Sequence, residues 1–236
     1  MHRFFRVAFL GVALIAAGTL ASCGDNEPAE RKAFIAFLQT NVLDKPGVHL
    51  PKLTDADSKS FGGYASHYTV ITNFAADPEM IAIGKQMAQA LQAGAPRSLR
   101  EVLDRQHDVQ TIRDTLAQLR DPLDQKFAAA EAARDALTQP PDLKAVFAAA
   151  FDRDVGDPAR TFRGALPTAE AALESILTLA AYLREHSNAV TISGADIKVN
   201  DKKVMAEING LLQGMNAKGR QLQDAQRRVR IVLTGS

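Results

Sequence analysis

From Ala29 onward the apolar positions recur every three or four residues, the period of helices that bury one face. Phe34, Phe37, Leu38 and Val42 share a face of a segment running from Ala29 to Leu43, and Pro46-Gly47 stops it. Thr54 stands where the cap of a second helix belongs, and Phe61, Tyr64, Ala65, Tyr68 and Ile71 follow at helical spacing. Asp77-Pro78 has the order of an N-cap and a first helical residue. It opens a stripe of Met80, Ile83, Gly84, Met87 and Leu91 that Gly94 and Pro96 close.

The longest pattern begins at Ser98, which with Glu101 makes a capping box. Val109, Ile112, Leu116, Leu119 and Leu123 alternate by three and four, Lys126 interrupts the seam once, and Ala130, Ala133 and Leu137 keep its phase. Pro122 lies inside this run, and the continuing phase predicts a kink rather than two unrelated helices. The heptads are few and their later part is Ala-rich, which favours packing within a bundle over an independent dimer. Pro140-Pro141 punctuates the chain. Leu143, Val146, Phe147, Ala150 and Phe151 predict a short helix. Asp157-Pro158 starts another, which Pro167 restarts or bends before Leu173, Ile176, Leu177, Ala180 and Leu183 carry it to about His186.

One segment departs from the helical period. Val190-Thr191-Ile192 and Ile197-Lys198-Val199 are β-branched runs around Ser193-Gly194-Ala195-Asp196, and they predict a hairpin at 190–199 that needs helices to pack on. Val204, Ile208, Leu211, Leu212, Met215 and Leu222 then form a last helix from about Asn200. Gly210, Gly214 and Gly219 weaken it and make room for close helix approach. The prediction is an all-α multi-helix bundle with a long kinked helix and one small hairpin. It forms a single domain over 29–230 with a C-terminal tail at 231–236. No internal repeat or domain boundary interrupts it.

The first 22 residues obey a different rule. Arg3 and Arg6 precede the apolar run VAFLGVALIAAGTL, the layout of an export signal, and the run is shorter than a membrane-spanning helix requires. It ends in Leu20-Ala21-Ser22-Cys23, which resembles the bacterial lipobox. In proteins of that class the Cys is joined to diacylglycerol, the signal is cut before it, and the new amino terminus is usually acylated. Cys23 is the chain's one cysteine, so an internal disulfide is excluded. Lipidation also uses up the thiol that cysteine catalysis would need. Residues 23–28 read as a polar tether that holds the domain near the membrane surface. Gly24 rather than an acid follows the Cys. The sorting of such proteins then favours the outer over the inner membrane.

Composition narrows the classes further. The 236 residues carry 28 basic and 27 acidic side chains, so no basic field marks a nucleic-acid surface. Removing Arg3 and Arg6 leaves 28 − 2 = 26 basic residues against 27 acidic, and membrane attachment then falls to the lipid rather than to charge. The absence of Trp and the abundance of Ala fit packed helices.

Arg31 to Val42, RKAFIAFLQTNV, directly follows the lipobox and an acidic tether. With Asp142-Leu143-Lys144-Ala145-Val146-Phe147 and a hairpin before the last helix, it resembles the start and later parts of the YiaF-like bacterial lipoproteins, a family carried as a domain of unknown function. The resemblance spans about residues 20 to 230. It implies a helical lipoprotein facing the envelope and supplies no catalytic residues to transfer. Pro122 and the Ala-rich stretch after it are local variations.

Candidate chemistry is sparse. His49, His67, His107 and His186 are isolated, with no His-Glu-x-x-His pair. His67 stands beside Tyr64 and Tyr68 and reads as a histidine on a helical face. Asp152, Asp154 and Asp157 surround Gly156. Counted from Asp152, however, Gly156 is fifth and Arg163 twelfth, where a calcium loop needs Gly sixth and Glu twelfth. The cluster reads as a solvated turn with a helix cap. Arg227, Arg228 and Arg230 read as a solvated helix end. Neither a nucleophile elbow nor a P-loop is present. The expectation is a non-enzymatic envelope lipoprotein, without metal or cofactor beyond the lipid on Cys23. It binds or organises an envelope protein or peptidoglycan. The alternative is a helical module for a small molecule or lipid, with an apolar cavity near Phe61, Tyr64, Tyr68 and Phe74. A hydrolase of peptidoglycan or lipid ranks third.

Overall fold

The computed structural model describes residues 26–92, 98–193 and 196–236. Among these residues the chain is an all-α bundle of nine α-helices with one two-stranded sheet, as the periodicity predicts. Helix α1 (Glu27–Leu38) has Pro28 in its first turn, with Glu27 and Glu30 beside it. Proline's missing N–H costs nothing at that position, and the acids suit the positive end of the helix dipole. The helix thus begins inside the expected tether. It continues through a π-helical turn, Gln39–Leu43. An irregular stretch, residues 44–54, then crosses to α2 (Asp55–Phe61), where Thr54 and Asp57 form a reciprocal capping box. Gly62, at φ +53°, splits the Phe61–Ile71 stripe. A short 3₁₀ turn therefore separates α2 from α3 (Ala65–Ala76).

Asp77 caps α4 (Pro78–Gln92), its Oδ1 accepting from the backbone N–H of Glu79 and Met80 at 2.8 and 3.2 Å. Ser98 caps α5 (Leu99–Asp104) as expected. The long run is not continuous from there, because the backbone leaves the helical region at Arg105 before α6 (Gln106–Asp135) begins. Within α6 the helix carries Pro122 without ending. Val109, Leu116, Leu119, Leu123 and Ala130 are buried, so the heptad face is covered inside the bundle. Lys126, the interruption, reaches out of the seam to Asp77 and Glu79 at the start of α4 (2.8 and 3.0 Å).

Helix α7 (Pro141–Phe151), a π turn (Asp152–Gly156) and α8 (Asp157–Glu185) follow one another with helical backbone at both junctions. The expected turn at 152–157 is therefore absent. Asp157 is an in-line helical residue rather than the cap of a separate element, and Pro167 lies inside α8 without restarting it. Strands β1 (Val190–Ser193) and β2 (Asp196–Val199) pair antiparallel, from Val190 with Val199 to Ser193 with Asp196. They are one residue longer on each side than the β-branched runs suggest. Helix α9 (Lys202–Thr234), capped by Asp201, runs past residue 230 to a left-handed Gly235. The expected tail is thus mostly helix. An added Cβ at Gly210, Gly214 or Gly219 would meet nothing within 4 Å, so these glycines do not serve close helix approach.

Packing divides the interior. An aromatic cluster joins α1, α2, α3 and α7 through Phe34, Phe37, Phe61, Tyr68, Phe147 and Phe151. An aliphatic cluster joins α8, α9, α5 and the hairpin through Leu177, Leu179, Leu183, Val190, Val204 and Ile208. A third, around Leu116, Leu119, Leu123 and Leu166, links α6, α4 and α8. No described helix is long and apolar enough to cross a membrane.

Candidate functional site

The irregular stretch 44–54 is a strap held at successive points. Arg153 donates to the carbonyls of Lys45 and Gly47, the latter at 3.3 Å. The Val48 N–H donates to the Leu233 carbonyl at 3.1 Å, which docks the end of α9 on the strap. The His49 N–H donates to Asp154 Oδ1 at 3.2 Å. The Tyr68 hydroxyl donates to the Pro51 carbonyl at 3.1 Å. Gly47 makes the α9 contact possible. Its φ is +66°, and a Cβ there would lie 2.5 Å from the Leu233 carbonyl oxygen. A side chain at this position is refused both by the backbone conformation and by the neighbouring chain.

Asp154 lies beneath the strap on the π turn and is 3% exposed. One carboxyl oxygen accepts from His49, and the other, Oδ2, is buried without a hydrogen-bond partner. A buried charge without full compensation is costly, so burial favours the neutral acid. Burial pushes the Asp154 pKa from 3.8 to about 6, against the weaker opposing pull of the His49 N–H and the Arg153 charge. The Tyr68 hydroxyl is pushed upward, by burial first and by the Asp154 charge second. A π turn inside a helical run changes which side chains point inward, and such turns recur at functional sites. Here Asp154 follows Phe147, Ala150 and Phe151 by seven, four and three residues and continues their buried face beneath the strap.

Outside the strap lies an open apolar groove of about 480 Å³, within the range of small-molecule sites. Leu50, Pro51, Lys52 and Leu53 form its strap wall, and Tyr68, Thr69, Thr72, Ala75 and Ala76 form its α3 wall. Of the rings expected near a cavity, Phe61 and Tyr68 are buried in the aromatic cluster, and Tyr64 and Phe74 pack against it partly buried. Phe61 lies 5.3 Å from Phe34 and 5.1 Å from Phe37 between centroids, and Tyr68 meets Phe37 edge-on at 5.4 Å. Of these four rings Tyr68 lines the groove, beside Leu50 and Leu53, which also pack against the aromatic cluster.

The other candidates fall outside the groove. Leu20, Ala21, Ser22 and Cys23 lie outside the described residues. His67 stacks edge-on against Tyr64 and Phe147, and its Nδ1 shares a 3.0 Å hydrogen bond with Gln139. Burial lowers its pKa. Tyr64, whose pKa is pushed to about 12 by burial and by its hydrogen bond to Glu27, ties the 3₁₀ turn before α3 to the start of α1. His186 stacks on Tyr182 at the end of α8, and the His107 side chain is exposed. Arg227 pairs with Asp224 one helical turn away, on an exposed surface. Asp152 and Asp157 both pair with Arg160 at the surface, at 3.1 and 2.9 Å, and do not join Asp154. No group of three His, Cys, Asp or Glu side chains placed to hold a metal occurs among the described residues.

Similarity to other chains covers nearly the whole molecule. A family described as "Protein of unknown function (DUF3053)" matches residues 11–230. The uncharacterized protein YiaF of Escherichia coli strain K12 is 28% identical over 218 residues, which cover 87% of this chain and 86% of the relative. The YiaF proteins of E. coli O157:H7 and Shigella flexneri match to the same extent. No solved structure matches the chain.

Proposed function

From the premise that the chain belongs to the DUF3053 family of unknown function, we propose that it is a lipid-anchored protein of the bacterial cell envelope that acts by binding. The observation that carries this reading is Leu20-Ala21-Ser22-Cys23 at the end of an apolar export signal, with the chain's one cysteine at the position that lipidation uses. Two or three acyl chains give stable attachment where one is marginal. The near balance of charge leaves little electrostatic attraction to assist them. The domain faces the periplasm, from the outer membrane in preference to the inner. Helix α1 starts at Glu27, so few residues separate the lipid from the folded part, and the binding partner lies close to the membrane surface. An envelope protein or peptidoglycan is the partner of the first reading.

The test compares the wild-type chain with Cys23→Ser in cells fed an alkyne-bearing fatty acid. The wild type should take up the label and sediment with membranes, and Cys23→Ser should lose both. A Cys23→Ser chain that keeps the label contradicts the proposal. Crosslinking in cells followed by pull-down addresses the partner. Repeated recovery of the bait alone argues against a protein. A second reading, a module for a small molecule or lipid, is favoured by one observation, the apolar groove between the strap and α3.

A further inference from the structure

We propose that the groove between residues 50–53 and α3 binds one long-chain fatty acid, with Lys52 receiving its carboxylate. The proposal deepens the second reading above and is independent of lipidation at Cys23. Apolar side chains of the strap, Leu50, Pro51 and Leu53, face the Tyr68, Thr72 and Ala75 side of α3 across an open channel. An unbranched alkyl chain suits such a channel, because it needs apolar surface and no directional partners.

The polar groups decide the head. The lining hydroxyls are already committed: Tyr68 donates to Pro51, Thr69 to the Ser66 carbonyl at 2.6 Å, and Thr72 to its own helix at 3.5 Å. Lys52 is the one charged residue of the lining. It is exposed and pairs with no acid among the described residues. Its apolar stem extends the groove wall while its ammonium stays at the wet rim. A single cation in the lining matches a singly charged carboxylate. A phosphate monoester carries more charge and more acceptor oxygens, and its usual sites supply several donors or a bidentate arginine. A free fatty acid therefore fits the single positive charge better than a lysophosphatidate does.

The strap wall is built to hold its place. Pro51 is fixed by Tyr68, His49 by Asp154 and Val48 by the end of α9, so the groove exists before a ligand arrives. A preformed groove spares the ligand the cost of ordering its walls.

The experiment uses the full chain in purified membranes and a palmitic acid carrying a diazirine, with a diazirine hexadecanol as the uncharged comparison. After irradiation, peptides covering 45–54 and 65–76 should carry the palmitate adduct, and unlabelled palmitate should remove it. Lys52→Glu should cut palmitate labelling at least fivefold and leave hexadecanol labelling unchanged. Ala75→Trp, which fills the channel, should cut both. The thermal midpoint of each variant shows that it is folded, and Lys52→Glu, a surface change, keeps the test available if Ala75→Trp unfolds. Labelling spread over the helices, equal palmitate labelling in Lys52→Glu, or stronger competition by lysophosphatidate than by palmitate would each overturn the proposal. Acylation at Cys23 reports on a different peptide, so failure of the groove and failure of the anchor are separable.

Discussion

The two ends of the bundle are built differently. At the aromatic end, α1, α2, α3 and α7 meet through phenylalanines and Tyr68, and among the described residues both π turns, the three positive-φ glycines and the buried Asp154 lie there. At the aliphatic end, long stretches of α8 and α9 pack Leu, Ile, Val and Ala against the hairpin. Irregular backbone and an imperfectly satisfied carboxyl cost stability, and proteins retain such features where they position something. In this molecule they position the strap, and the strap is one wall of the groove. The aliphatic end holds the helices together. The aromatic end shapes a surface.

Core truncation gives the largest test of that contrast. Phe34→Ala and Leu179→Ala, both at fully buried positions, should destabilise by roughly 3–5 and 2–5 kcal/mol in urea unfolding. Their local effects should differ. Phe34→Ala should speed amide hydrogen exchange across residues 48–54, and Leu179→Ala should leave those amides slow relative to global unfolding. Equal acceleration would mean that the two ends are one cooperative unit.

Asp154 gives the next effect. Its acid is neutral in the fold until about pH 6, whereas the unfolded chain releases the proton near 3.8. The folded state holds more protons between those values, so stability is full below about pH 4 and falls as pH rises through 6. The gap between the folded and unfolded values corresponds to about 3 kcal/mol of stability. Asp154→Asn should flatten the curve in that window. A wild-type curve that is already flat between pH 4 and 6 would contradict the burial argument.

Glycine substitutions should have opposite signs at the two ends. Gly47→Ala forces a Cβ into a left-handed position against Leu233 and should cost on the order of 1–3 kcal/mol. Gly214→Ala, in the interior of α9 with open space around it, should stabilise by about 0.5–1 kcal/mol. Thermal midpoints that move the same way would remove the distinction. The smallest effect belongs to the ion pairs across α6 and α8. Arg120→Ala loses an exposed pair with Glu170 (3.0 Å) and should cost less than about 1 kcal/mol.

Much of the fold was legible because helices announce themselves locally. Thr54, Asp77 and Ser98 cap the helices they precede, and the buried faces of α1, α6 and α8 follow the three-and-four spacing. The breaks at Gly62 and Arg105 were not legible, since the apolar phase runs on through both. Asp154 was missed for a related reason. Three aspartates around a glycine read as a solvated turn, whereas the helix runs on from α7 and keeps Asp154 on the buried face of Ala150 and Phe151. Its burial depends on a strap about a hundred residues earlier in the chain (His49 contributes only its backbone N–H), and no local pattern encodes that contact. The 152–157 region carried one legible hint, helix-forming residues on both sides with no stop signal between them. The groove had half a signal in Tyr68. Its other wall comes from 50–53, where the spacing has no period to read.

The proposed attachment of this domain rests on Cys23, and intact mass spectrometry of the protein recovered from cell membranes tests it most directly. The expected species is a chain that begins at Cys23 and carries a diacylglyceryl thioether, with or without a further acyl group on the new amino terminus. A chain that retains residues before Cys23, or one whose Cys23 bears no lipid, would contradict it.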